Sequence, residues 1–96
     1  MERDPTEEDL IKIDTQDLFG TIMWIDKNRQ CRKQIFTKSM RAYIPEYYYD
    51  ENGYEHRISG PAIILGENCQ WRYHGKRIEC NSQEEYEQLL KLKVFW

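Results

Sequence analysis

Cys31, Cys69, Cys80, His56 and His74 are the side chains of this chain whose types could carry nucleophilic, acid–base or metal chemistry. A zinc site would draw on Cys69, His74, Cys80 and His56, but the close C-x-x-C pairs that usually present such ligands are missing, so no metal is expected. Three cysteines cannot all pair within one chain, and their wide spacing matches no disulfide framework of a small secreted domain. Reduced thiols are the simpler reading. His56 and His74 each sit close to a glycine, at 53 and 75, and as a pair they could serve as a general base. No acid or nucleophile recurs beside them, which makes them turn-flanking polar residues on the solvent side. Ser39, Ser59 and Ser82 lack a Gly-x-Ser-x-Gly setting, and the five glycines are scattered as turn residues, not clustered as a phosphate requires. The sequence therefore predicts no catalytic residues, no cofactor and no enzyme.

Charge gives a stronger signal. The net charge of −3 divides into −5 over residues 1–18, +4 over 19–77 and −2 over 78–96. Between Lys27 and Arg41 six cations meet no acid. Arg29, Arg32, Lys33, Lys38 and Arg41, with Tyr43 interleaved among them, form a candidate surface for an anion or a partner. The competing reading is a solvated hairpin neutralised by the chain's own acidic ends. Tyr43, Tyr47, Tyr48 and Tyr49 crowd together, and strand alternation must send some to each face. Tyr48 is thereby a candidate interface residue, since tyrosine offers large area and a polar tip. Leu92, Phe95 and Trp96 fall partly outside the terminal helix stripe and are further interface candidates.

These residues need elements to hold them. Residues 1–18 form an acidic N-terminal arm, in which Thr6-x-x-Asp9 offers a helix start while Leu10, Ile11 and Ile13 match neither period, leaving the arm otherwise unassigned. From Phe19 onward β-branched and aromatic residues alternate with turn formers. Strands are predicted over Phe19–Ile25, Gln30–Thr37, Ala42–Asp50 with a break at Pro45, Tyr54–Ile58, Ala62–Leu65, Cys69–His74 and Arg77–Cys80. Asn52-Gly53 is a strong hairpin signal. A helix follows over 82–93, opened by Ser82 and Glu85 in a capping-box arrangement, with Tyr86, Leu89, Leu90 and Val94 on one face to pack across the sheet. The predicted fold class is α+β: an antiparallel β-meander of consecutive hairpins packed by one C-terminal α-helix, with residues 19–96 as one domain. A domain this small has a narrow stability margin, so homo-oligomerisation is expected to support it.

Aromatic residues recur four positions before a turn former, as Tyr49 and Gly53, Trp71 and Gly75, and Trp24 and Asn28. With Gly60-Pro61-Ala62, Trp71-x-x-x-Gly75-Lys76 and Ser82-Gln83-Glu84-Glu85-Tyr86, residues 47–93 resemble the degenerate, MORN-like "GPA…W-x-x-x-G-K" hairpin-repeat proteins of bacteriophages and large DNA viruses. The resemblance implies the meander, a viral origin and structural repeat residues. By analogy with small phage proteins that counter bacterial defence, it also implies a non-catalytic protein that binds or blocks a host protein. An oligomer that sequesters an anionic nucleotide signal is the alternative, and a nucleic-acid-binding module a weaker one. No apolar leader opens the chain and its longest apolar run, Ala62 to Leu65, is far too short for a bilayer, so a cytoplasmic location without membrane association is expected.

Overall fold

The computed structural model describes residues 3–92. Seven strands lie in one antiparallel sheet in chain order: β1 (Ile11–Asp14), β2 (Thr21–Ile25), β3 (Cys31–Phe36), β4 (Glu46–Tyr48), β5 (Ile63–Leu65), β6 (Asn68–Tyr73) and β7 (Lys76–Ile78). A helix, α1 (Gln83–Leu92), closes the chain. The α+β meander predicted from the alternation is the architecture observed.

Three of the connections share one device, which the aromatic repeat did not reveal. Asp17, Asp26 and Asp50 each accept, through one carboxylate oxygen, the amides two and four residues on: Phe19 and Thr21, Asn28 and Gln30, Asn52 and Tyr54. In each the backbone carbonyl of the aspartate accepts the amide three residues on, from Gly20, Arg29 and Gly53, and that third residue has positive φ. A short side chain that can bond its own downstream backbone thus initiates each reversal, and a left-handed residue completes it. The β6–β7 connection is different. His74 and Gly75, at φ 46° and 89°, form the two-residue turn in which both central residues are left-handed. The Trp71–Gly75 pair is therefore not the turn equivalent of Tyr49–Gly53, and in the Trp24 unit the left-handed residue is Arg29, not Asn28.

Other expectations need correction. The acidic arm contributes a 3₁₀ turn (Glu7–Asp9), capped by Thr6, and then strand β1, whose partner is β2. Ala42–Asp50 shortens to Glu46–Tyr48: Pro45, lacking an amide, keeps only its carbonyl contact to Phe36 N–H, and residues 37–45 run as an irregular loop. Tyr54–Ile58 is not a regular strand. Apart from one bridge, Tyr49 to Glu55, its amides serve two different strands, His56 N–H bonding to Tyr48 O and Arg57 N–H to Arg72 O.

Cross-strand register divides the sheet into two faces, because side chains alternate and opposed residues share a side. Lys12, Trp24, Lys33 and Tyr48 lie opposite one another across β1–β4 and occupy the first face. Ile13, Met23, Gln34, Tyr47, Ile63 and Gln70 occupy the second. The 3₁₀ turn and α1 both lie on the first face, since Glu7 reaches Lys33 and Gln83 accepts from Trp71 Nε1, with Trp71 opposed to Ile78.

The helix does not lie broadly across the sheet as its stripe suggested. It is held through its first turns: Ser82 Oγ accepts Glu85 N–H, Glu85 reaches back to Asn81 N–H, Gln83 Nε2 donates to Ile58 O, and Tyr86 is fully buried. The Tyr86 hydroxyl lies 2.7 Å from Arg57 O and 3.2 Å from Arg72 O, pinning the 54–58 segment to β6. The buried apolar side chains among the described residues are Trp24, Ala62, Ile63, Ile78 and Tyr86. No helix here is long and apolar enough to cross a membrane.

Candidate functional site

The first face carries a row of alternating cations and rings, generated by register alone. Lys12 Nζ lies 5.7 Å from the Trp24 ring centre, Lys33 Nζ 4.8 Å from Trp24 and 5.4 Å from Tyr48, and the Arg57 guanidinium 3.9 Å from Tyr48. Each ring face attracts the flanking charge, and Trp24 is buried beneath its lysines. Burial, opposed in part by the Arg57 charge, pushes the Tyr48 phenol up to about 12.

Where β2 meets β3 the register slips between Trp24 and Ile25, so that Arg32 is the extra residue of a β-bulge. The bulge turns Arg32 towards the same cleft as Lys33. Arg32 Nε donates to Tyr49 O, and its guanidinium lies 3.5 Å from Asp26 and 4.0 Å from Glu51. Lys33 stands 3.7 Å from Glu7. The cleft, of about 240 Å³, is bounded by Arg32, Lys33, Tyr48 and Arg57 on the sheet side and by Asp4 to Glu7 and Leu10 on the other.

Of the six candidates for anion or partner binding, Arg32 and Lys33 meet at this cleft and the other four do not. Arg29 occupies the left-handed position of the Asp26 turn. Arg41 donates to the Tyr43 hydroxyl at 2.7 Å in the β3–β4 loop, where Tyr43 packs beside Gly66, and Lys38 donates its backbone amide to Phe19 O. Arg57, outside the acid-free run, is the cation that sequence reading missed. Its signal lay in the 54–58 segment, which does not behave as a strand. Of the interface candidates, Tyr48 is half-buried on the covered face and Leu92 is exposed on α1, while Phe95 and Trp96 lie outside the described residues.

A second cluster was legible only in part. His56 is buried, not on the solvent side, and its Nδ1 accepts the His74 N–H at 2.9 Å. The two imidazoles stack at 3.8 Å, and His74 Nδ1 lies 2.8 Å from Asp50 Oδ2. Asp50 is 1% exposed. Burial alone would raise its pKa, but the bonds from His74 and from the Tyr54 and Asn52 amides outweigh that and hold it below the ordinary carboxylate value. The partnered acid therefore exists, supplied by the Asp50 turn and invisible at a separation of 24 residues. Its chemistry is orientation: the carboxylate fixes which imidazole nitrogen carries the proton, while its other oxygen is committed to the turn. Burial raises the Cys31 and Cys80 thiols, which makes them poor nucleophiles; all three cysteines are unpaired in disulfides, and no metal-binding cluster occurs among the described residues.

The second face carries Ile13, Met23, Ile25, Phe36, Tyr47, Tyr49 and Leu65, all partly exposed, around buried Thr21 and Ile63, with Phe36 and Tyr47 edge to face at 5.9 Å. The shortest dimension of the molecule is 19 Å, about the depth of a sheet with one covering layer. The 3₁₀ turn and α1 lie on the first face, where Ile22, Ile35 and Ile64 are themselves partly exposed. Compared with family models, curated proteins and solved structures, the chain finds no match.

Proposed function

We propose that this chain is a small non-catalytic binding protein that engages another protein through the second face of its sheet, the one opposite α1. The observation that carries the reading is that face itself: partly exposed Met23, Ile25, Phe36, Tyr47 and Tyr49, with Gln34 and Gln70 among them. Tyrosine and methionine are residues that protein interfaces favour. The resemblance of residues 47–93 to phage and viral hairpin-repeat proteins makes the proposed partner a host protein and the proposed role its inhibition in the host cytoplasm.

The test compares capture from host lysate by the wild type, by Met23→Arg and Gln34→Arg on the open face, and by Lys91→Ala on α1. The reading expects one protein retained by the wild type and Lys91→Ala and lost from both open-face variants. Capture indifferent to Met23 and Gln34 overturns it.

The meeting of Arg32, Lys33, Arg57 and Tyr48 at one cleft favours a second reading, sequestration of an anionic nucleotide by an oligomer. Saturable thermal stabilisation by cyclic or ADP-ribose-type nucleotides supports that reading, and silence across the panel removes it.

A further inference from the structure

The first-face cleft is closed on one side by the chain's own N-terminal segment, which bonds to the opposite wall through two carboxylates. Asp4 inserts its carboxylate into a cradle made by successive backbone amides: Ile58 N–H donates to Oδ1 at 2.9 Å and to Oδ2 at 3.1 Å, and Ser59 N–H to Oδ2 at 2.8 Å. The Ser59 hydroxyl adds a fourth bond at 2.6 Å. Successive amides converging on one point are a general means of binding anions. Three residues further on, Glu7 stands 3.7 Å from Lys33. Arg57, stacked on Tyr48 and donating to Pro61 O, adds its positive charge to the same wall. Two carboxylates three residues apart thus meet two matched positive sites more than twenty positions apart in the chain. Asp4 and Glu7 are only partly buried or exposed, and the segment carrying them is joined to the sheet through β1.

We infer that this cleft is a recognition site for an acidic peptide of a partner protein, one presenting a carboxylate followed three residues later by a second, and that residues 4–7 occupy it in cis as a tethered competitor. The commitment to a peptide rests on the occupant seen, which bonds at both sites through side chains of one short segment that enters a 3₁₀ turn at Glu7. An incoming peptide must displace Asp4 and Glu7, so the apparent affinity of the intact chain is reduced by the fraction of time the cleft stands open. The site lies on the face opposite the one proposed above, so failure of either reading leaves the other standing.

The probe is a fluorescein-labelled peptide with the sequence of residues 3–9, titrated into the full-length wild type and the full-length double variant Asp4→Asn/Glu7→Gln. With the cleft occupied nine-tenths of the time or more, the double variant binds the peptide about tenfold or more tightly than the wild type. The Ile58 and Ser59 amide resonances shift on binding, adding Lys33→Gln to the double variant weakens the peptide, and a peptide with Asn and Gln at the two acidic positions does not bind. Tryptophan fluorescence reports that each variant remains folded. Equal affinity for wild type and double variant, a peptide affinity indifferent to Lys33→Gln, or shifts at Ile58 and Ser59 produced by inorganic phosphate but not by the peptide, each overturns the inference.

Discussion

Replacing Asp50 tests the device that builds the reversals and the histidine cluster together. The carboxylate is 1% exposed and accepts the Asn52 amide at 2.8 Å, the Tyr54 amide at 2.9 Å and His74 Nδ1 at 2.8 Å. A hydrogen bond to a charged group contributes about 1.5–3 kcal/mol. Asn52 and Tyr54 are exposed and water can recover part of the loss, so Asp50→Ala is expected to cost about 3 kcal/mol, near the sum of two such bonds. Asp50→Asn keeps one carbonyl oxygen for the two amides and loses the charged partner of His74, for a cost of about 1 kcal/mol. For a domain of this size these correspond to falls in Tm of roughly 12–24 °C and 4–8 °C. Urea unfolding followed through Trp24 and Trp71 fluorescence gives both values. The pH dependence has a definite sign. Because the folded-state pKa of Asp50 lies below its unfolded value, its contribution is complete above about pH 4 and is lost as pH falls through the lower folded value. The gap between wild type and Asp50→Ala must therefore narrow in acid. An Asp50→Ala cost within 0.5 kcal/mol of zero, on the order of an ordinary surface change, or equal costs for Ala and Asn, would refute the reasoning.

Three further outcomes follow from the same geometry. Arg29 holds a φ of 64° where the equivalent turns have Gly20 and Gly53; Arg29→Gly should therefore stabilise the chain, by about 0.5 kcal/mol once glycine's extra unfolded-state entropy offsets part of the relieved strain, read from the urea midpoint. Tyr86→Phe removes the hydroxyl that joins the 54–58 segment to β6 and should cost about 1–2 kcal/mol in denaturant unfolding, with α1 and the 54–60 segment gaining faster amide exchange. Burial pushes Tyr48 and Tyr49 up to about 12, so their phenolate absorbance should appear well above the ordinary value near pH 10. Since the folded state keeps those protons longer, stability must fall between about pH 10 and 12 and not before.

How much of this was written in the sequence depends on the range of the interaction. Period-two alternation around Trp24, Ile35 and Trp71 foretold the hairpins, because each residue's face is decided by its neighbours two positions away. Ser82 and Glu85 foretold the helix start for the same local reason. The strand β1 escaped because Leu10, directly before Ile11, masks the alternation of Ile11-Lys12-Ile13-Asp14. The segment 54–58 looked like a strand because its composition suits one, yet it makes only the Tyr49–Glu55 bridge and no continuous ladder. The candidate site was the least legible part. Lys33 and Tyr48 are joined by cross-strand register, Arg32 is turned by a bulge, and Asp4 meets Ser59 across 55 positions. None of those separations leaves a mark in a sliding window. Turns were legible at Asp26–Arg29 and Asp50–Gly53, whereas the Asp17 turn was hidden beneath a strand read from Phe19 through Gly20.

The account rests most on a sheet whose 3₁₀ turn and helix both lie on one side, leaving Met23 and Ile25 on the other accessible. The direct measurement is the attenuation of amide and methyl signals by a soluble nitroxide, made at a dilution where the protein sediments as a monomer. Strong attenuation at Ile13, Met23, Ile25 and Leu65, with protection at Ala62, Ile78 and Tyr86, is the predicted pattern; protection of Met23 and Ile25 equal to that of Ala62 would mean that both faces are covered and that no open surface awaits a partner.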